Sequence, residues 1–346
     1  MPATRATALA LTFLLAALAA APATAPAKPE GIRLDVPAEW PPALCSGRVF
    51  LFAPDGRNQT MGPADASPSC NLVQIRPALA PVCVLDAAYV LDEDGTLWRL
   101  GEAPALTVAS GLKGALALFP TPDGPAVLFV DSLRLPSGAS SPLPMHASSA
   151  VALAGGGYWV WGSSGATRLD SAGTVRWTWK PPVGTAGPAC LHEGWIYAGT
   201  STGNLVAIRD SDGKARFSYR GGGGVECAPV VWKNLVIYAS RDHFVRAVDR
   251  ASGQLAWQAR TEGRPDFGPY ACDAGLLVAE SAGARLLVLA PETGQVAWSW
   301  KLPAGAILKA PAVAPRAAAV LAWDEATTPT LYRVELPQAP APKAKK

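Results

Sequence analysis

Six cysteines and three histidines carry the most obvious chemistry in this 346-residue chain. The cysteines stand at 45, 70, 83, 190, 227 and 272, with no adjacent pair and no Cys-x-x-Cys. Zinc needs thiolates or imidazoles grouped at short spacing, and only His192, two residues after Cys190, approaches that pattern. An even cysteine count suits an oxidising compartment and up to three disulfides, with fifteen pairings open. Bridging among Cys45, Cys70 and Cys83 is attractive, because the weakly patterned N-terminal part gains most from a staple. Cys83 and Cys190 each follow Pro-x and read as slim buried side chains opening an innermost strand. His146, His192 and His243 lie far apart, so no nucleophile–histidine–acid spacing emerges, and His192-Glu193 reads as a solvated turn before Trp195. The run Gly221 to Gly224 has no helix behind it, which a phosphate-cradling loop requires. It reads as a flexible connection. The expectation is no catalytic residue, no metal site and no bound cofactor.

The elements that position these residues are legible from self-similarity. Residues 167–177 (TRLDSAGTVRW), 207–217 (AIRDSDGKARF), 247–257 (AVDRASGQLAW) and 288–298 (VLAPETGQVAW) align. Their glycines, Gly173, Gly213, Gly253 and Gly294, recur at 40, 40 and 41 residues, and so do the aromatics Trp177, Phe217, Trp257 and Trp298. Each repeat spells four short strands. In one copy these are 228–231, 235–240, 244–249 and 255–258, with turn chemistry at Ser252-Gly253. Gly253 supplies the positive φ of the hairpin between the third and fourth strands. Trp257 then sits on the outermost strand, where its ring can cover the seam to the next unit. A lone four-stranded sheet cannot bury both faces, so copies must stack, and a period near 40 with four strands is the pattern of a β-propeller.

The segment 247–257 resembles the tryptophan-docking motif, Ala-x-Asp-x-x-Thr-Gly-x-x-x-Trp, of the pyrroloquinoline-quinone (PQQ)-like propeller repeat family. The copy at 288–298 keeps Thr293, Gly294 and Trp298 but lacks the acid, and two other copies place Asp170 and Asp210 one position later. The resemblance implies an all-β propeller of four-stranded antiparallel blades. In length and repeat type the chain is similar to the propeller lipoprotein of the outer-membrane β-barrel assembly machinery, which shows loops to a membrane-embedded partner and does no chemistry. Quinoprotein enzymes of the family are longer. They carry an adjacent Cys-Cys pair, an aspartate base and Glu and Asn calcium ligands, and none of these matches here.

Weaker copies extend the array. Residues 49–56, 89–100 and 126–135 read as second and third strands, while 319–323 and 331–336 give two strands without a fourth. Residues 32–36 are the candidate for that fourth strand. An N-terminal strand would thus close the ring and leave no free sheet edge. The count is eight blades over residues 31–336, with seven the alternative because two blades are poorly patterned.

Composition agrees. The chain holds 33 Gly and 33 Pro with 16% charged residues, which favours turn-rich β-structure over long helices. The net charge of +3 mostly reflects Arg5, Lys343, Lys345 and Lys346, whose removal leaves −1 for the body. The near-neutral body has no footprint for nucleic acid. Residues 1–27 read as a signal peptide, with Arg5, an apolar stretch to Ala21 and cleavage after Ala25-Pro26-Ala27. No transmembrane segment is expected after cleavage, because the apolar stretch is short of the ~20 residues that a span needs. The first cysteine, Cys45, lies too far on to carry a lipid. Residues 28–336 form the propeller and 337–346 a disordered Pro/Ala/Lys tail. The Asn58-Gln59-Thr60 sequon reads as chance.

Links between blades and links between second and third strands emerge on one face of a propeller. Here they carry Arg241, Asp242, His243 and Phe244, where a neighbouring copy has only Thr202-Gly203-Asn204, and then Arg264, Asp266 and Phe267. Arginine and aromatic side chains are enriched in interface hot spots, so these seven are the candidate partner-binding residues. The expected function is a periplasmic or secreted, monomeric, non-catalytic propeller that binds envelope proteins. A PQQ-dependent oxidoreductase and a glycan-binding propeller are the alternatives.

Overall fold

A computed structural model describes residues 31–34, 40–62, 69–70, 74–101, 104–303, 306–307, 309–323 and 329–337. The expected leader at 1–27 and residues 338–346 of the expected tail lie outside the described residues. Every element among the described residues is a strand, and no helix among them is long and apolar enough to cross a membrane. The strands form eight antiparallel sheets, seven of them in simple first-to-fourth order. The protein is an eight-bladed β-propeller.

Blade six shows why the sequence folds this way. Its strands are Val230–Trp232, Leu235–Ser240, Phe244–Asp249 and Leu255–Arg260. The second strand is buried at every position, and its β-branched and aromatic residues suit a strand covered on both faces. The outermost strand alternates between exposed and half-buried residues, with Trp257 and Ala259 turned inward. In blade one the third strand is Asn58–Met61, beyond the expected 49–56 segment. Asn58 there is 2% exposed, so the sequon is withdrawn from solvent.

Blade eight departs from its siblings. Its innermost position is split into Ala306–Ile307 and Ala312–Ala314, both paired with Ala317–Trp323. Pro329–Glu335 follows, and Gly31–Arg33 adds as the outermost strand, with Gly31 opposite Tyr332 and Arg33 opposite Thr330. The ring closes through the N-terminal strand as expected, one residue earlier than 32–36; residues 35 and 36 lie outside the described residues.

The core is circular. Eight apolar clusters occur among the described residues, one at each seam between neighbouring blades, including the seam of blade eight with blade one. The two-residue period of a strand feeds two clusters at once. Leu276 and Val278 point to the seam with blade six, while Leu277 and Ala279 point to the seam with blade eight. Each fully buried Leu or Val contributes roughly 1.5–3 kcal/mol.

A disulfide joins Cys45 to Cys83, tying the innermost strands of blades one and two. Cys190, Cys227 and Cys272 are free and half-buried. The glycine run 221–224 is close-packed rather than open. Ser240 Oγ donates to Gly223 O and accepts from Gly223 N, and a Cβ at Gly223 would lie 2.6 Å from Asp242 N. Absence of side chains there permits backbone approach.

Candidate functional site

The repeat glycines take left-handed backbone conformations, with φ of +83° at Gly173, +72° at Gly213, +73° at Gly253 and +72° at Gly294. A Cβ at Gly213 would sit 2.9 Å from the Trp177 ring, one at Gly253 2.5 Å from Phe217, and one at Gly294 against Trp257. Each ring thus lies on the turn of the following blade. Trp177 Nε1 donates to Asp210 O at 2.8 Å and Trp257 Nε1 to Pro291 O at 3.0 Å. Phe217 covers its seam by packing alone. Trp298 is half-buried against the seam of blades seven and eight. Gly173 instead meets Ser141 and Leu135.

The acid of the repeat works on the same turn. Asp249 Oδ1 accepts from Ala251 N, Ser252 N and Ser252 Oγ, at 2.8–3.0 Å. Asp170 accepts from Ala172 N and Thr174 N. Asp210 has turned to another task and holds Arg168 of the preceding blade at 2.6 Å. That arginine is 3% exposed, so the pair crosses a dry seam.

The candidate face is built from the links between blades and the turns after second strands, and backbone hydrogen bonds tie the two together. Thr261 N donates to His243 O, and Ser281 N to Arg264 O. The seven residues singled out in the sequence split into two groups. Asp242 and Phe244 are committed to Arg246. Its guanidinium meets both Asp242 oxygens at 2.6 and 2.9 Å and stacks on Phe244 at 4.7 Å. Burial raises the Asp242 pKa, but hydrogen bonds from Arg246 and Ser240 outweigh it and hold the carboxyl below its ordinary value. Phe267 is half-buried against the core between blades seven and eight.

Arg241, His243, Arg264 and Asp266 gather at the mouth between blades six and seven. Arg241 lies 3.8 Å from Asp266 and 3.5 Å from Glu226. His243, Arg264 and Asp266 line a cleft of about 490 Å³ together with Glu280, Ser281 and Lys301. The sequence reading did not single out Glu280. Its signal was the spacing of Thr200, Ser240 and Glu280, each the last residue of a second strand.

The remaining nucleophiles are subdued. Burial pushes the Cys190 thiol up to about 12 and raises Cys227 and Cys272 as well, so thiolates are disfavoured at neutral pH. His192 lies 3.5 Å from Glu193, whose carboxylate also takes Arg250 of the next blade at 2.9 Å. Among the described residues no three His, Cys, Asp or Glu side chains are grouped to hold a metal.

The family model described as outer membrane protein assembly factor BamB matches residues 162–306 and 241–335, which together span half of the chain. Among solved structures, BamB from Moraxella catarrhalis superposes with a TM-score of 0.62 at 17% identity, covering 88% of this chain and 98% of that one. The computationally designed Ika8 protein gives 0.71 at 13% identity, with 88% and 97% covered. The C-terminal WD40 domain of Sif2 gives 0.64 at 13%, with 89% and 98% covered. At these identities the likeness is one of fold. No curated protein matches the sequence.

Proposed function

The chain belongs to the family of outer membrane protein assembly factor BamB, and from that premise we propose that it is a non-catalytic, protein-binding propeller of the cell envelope. The family match over residues 162–335 carries this reading. That stretch holds the repeats whose links form the candidate face. A disulfide between Cys45 and Cys83 suits an oxidising compartment, in line with the export signal read from residues 1–27.

Arg241 and Arg264 are exposed cations of the face, while Asp242, Arg246 and Phe244 hold the loop that presents Arg241. A rigid loop loses less entropy on binding than a mobile one. The partner contact therefore falls on Arg241, His243 and Arg264, with Phe244 as support. Crosslinking in the native envelope followed by mass spectrometry tests this. Arg241→Ala with Phe244→Ala is expected to lower partner capture several-fold without loss of fold. Unchanged capture by the double variant would overturn the assignment of the face.

A further inference from the structure

One position in the cleft between blades six and seven breaks the repeat. Thr200 and Ser240 satisfy their own loops. Thr200 Oγ1 accepts from Asn204 N at 2.9 Å, and Ser240 Oγ bonds both backbone groups of Gly223. Glu280 holds the same place forty residues on, is 1% exposed, and leaves Oε1 without a hydrogen-bond partner among the described residues. A buried carboxylate oxygen without a donor is costly, and nothing in the turn of blade seven needs it.

The surrounding charges do not satisfy it. Arg285 faces Glu280 across the strand pair, but its guanidinium is 2.7 Å from Glu262. Asp266 is occupied by Ser281 and Arg241. Arg264 and Lys301 line the cleft with no ion pair among the described residues. The cleft thus offers one unused buried acceptor at its floor and two unused cations, with His243 beside them. The lining sets Glu262, Asp266 and Glu280 against Arg264, Arg285 and Lys301, so the cleft is balanced in charge and favours neither a bare cation nor a bare anion.

The geometry points to a binding site for a zwitterionic ligand of amino-acid or short-peptide size. Its ammonium donates to Glu280 and its carboxylate faces Arg264 and Lys301. A volume of about 490 Å³ is of the size of a small-ligand site. The inference does not depend on the partner-binding role proposed above.

Diglycine and triglycine are the probes. N-acetylated and C-amidated forms remove one charge each and serve as controls. Titration followed through the amide resonances of Gly263 and Ser281, together with thermal melting, reads the binding. The unblocked peptides are expected to saturate at millimolar concentration or below and to raise the melting temperature, and each blocked form to bind at least ~10-fold more weakly. Glu280→Ser restores the residue used at position 240, and Glu280→Gln keeps the shape. Both are expected to weaken binding at least ~10-fold while the free protein melts at the same or a higher temperature, since an unpaired buried charge is removed. No saturable binding, equal binding of a blocked peptide, undiminished binding by the variants, or a destabilised Glu280→Ser protein would each overturn the site. Competition relates the cleft to the protein-binding face. If diglycine displaces a captured envelope protein, that protein covers the occupied cleft. If capture is undisturbed, the free peptide binds apart from the protein contact.

Discussion

At the residue scale, the fold depends on small groups where rings must lie. The aromatic ring of one blade occupies the space over the glycine of the next, so the glycine is required twice, once for its positive φ and once for its missing Cβ. The two needs are separable. Gly138 also has a positive φ, +88°, but nothing lies within 4 Å of where its Cβ would be. Gly138→Ala is expected to cost only the left-handed penalty, about 1–2 kcal/mol. Gly253→Ala adds the displacement of Phe217 and is expected to cost roughly 2–4 kcal/mol. Thermal or denaturant unfolding of the two variants compares them. Equal costs would remove the ring-on-glycine contact from the account of the seam. The glycines and rings were legible from spacing alone, because a steric demand repeats wherever the blade repeats. Glu280 was not legible as a site residue. An acid at the end of a strand reads as solvated unless its repeat neighbours are set beside it.

At the scale of elements, the turn after the second strand of blade six is held by Asp242 and Arg246. Arg246 is 7% exposed, so its charge relies on that carboxylate. The folded-state pKa of Asp242 lies below the ordinary 3.8. Its contribution is therefore fully present above that value and is lost as the pH falls through the depressed folded pKa. Asp242→Asn is expected to cost about 1–3 kcal/mol at neutral pH, and the gap to the parent protein to shrink as the pH drops below the ordinary aspartate range. Melting curves measured from pH 7 down to pH 3 check this, and a gap that stays constant would discard the ion pair as its source. Other elements show where sequence patterning fades. In blade one, the third strand buries Asn58 and Gln59, so polarity hides its place in the core. In blade eight, the split innermost strand gives two short pieces where periodicity needs one run. Alternation is readable only when a strand is long and its inward side chains are apolar.

At the scale of the whole molecule, the eight seam clusters form a circuit in which each blade depends on two neighbours. The Cys45–Cys83 bridge reinforces two blades in which no strand exceeds five residues, spanning 38 residues of chain. Chain entropy alone assigns a loop of that length roughly 3–4 kcal/mol. Cys83→Ser is expected to lose about that much, and a reductant to lower the melting temperature of the parent protein while leaving the variant unchanged. Hydrogen exchange should locate the loss first in blades one and two, and a uniform loss around the ring would argue against a local staple. The eight-bladed count and the closing strand were legible because four well-patterned copies fixed the period that the weaker ones had to meet. The disulfide partner was not legible, since three nearby cysteines leave the pairing to their placement in space.

The strand Gly31–Arg33 finds its pairing partner only at Thr330–Tyr332. A ribosome or an export channel delivers the first of these long before the second. Until the final stretch emerges, Gly31–Arg33 has nothing to pair with and the nascent arc shows two raw ends. Such late long-range pairing slows folding and prolongs exposure to aggregation. The waiting polypeptide thus stays an open arc until its last sheet is complete.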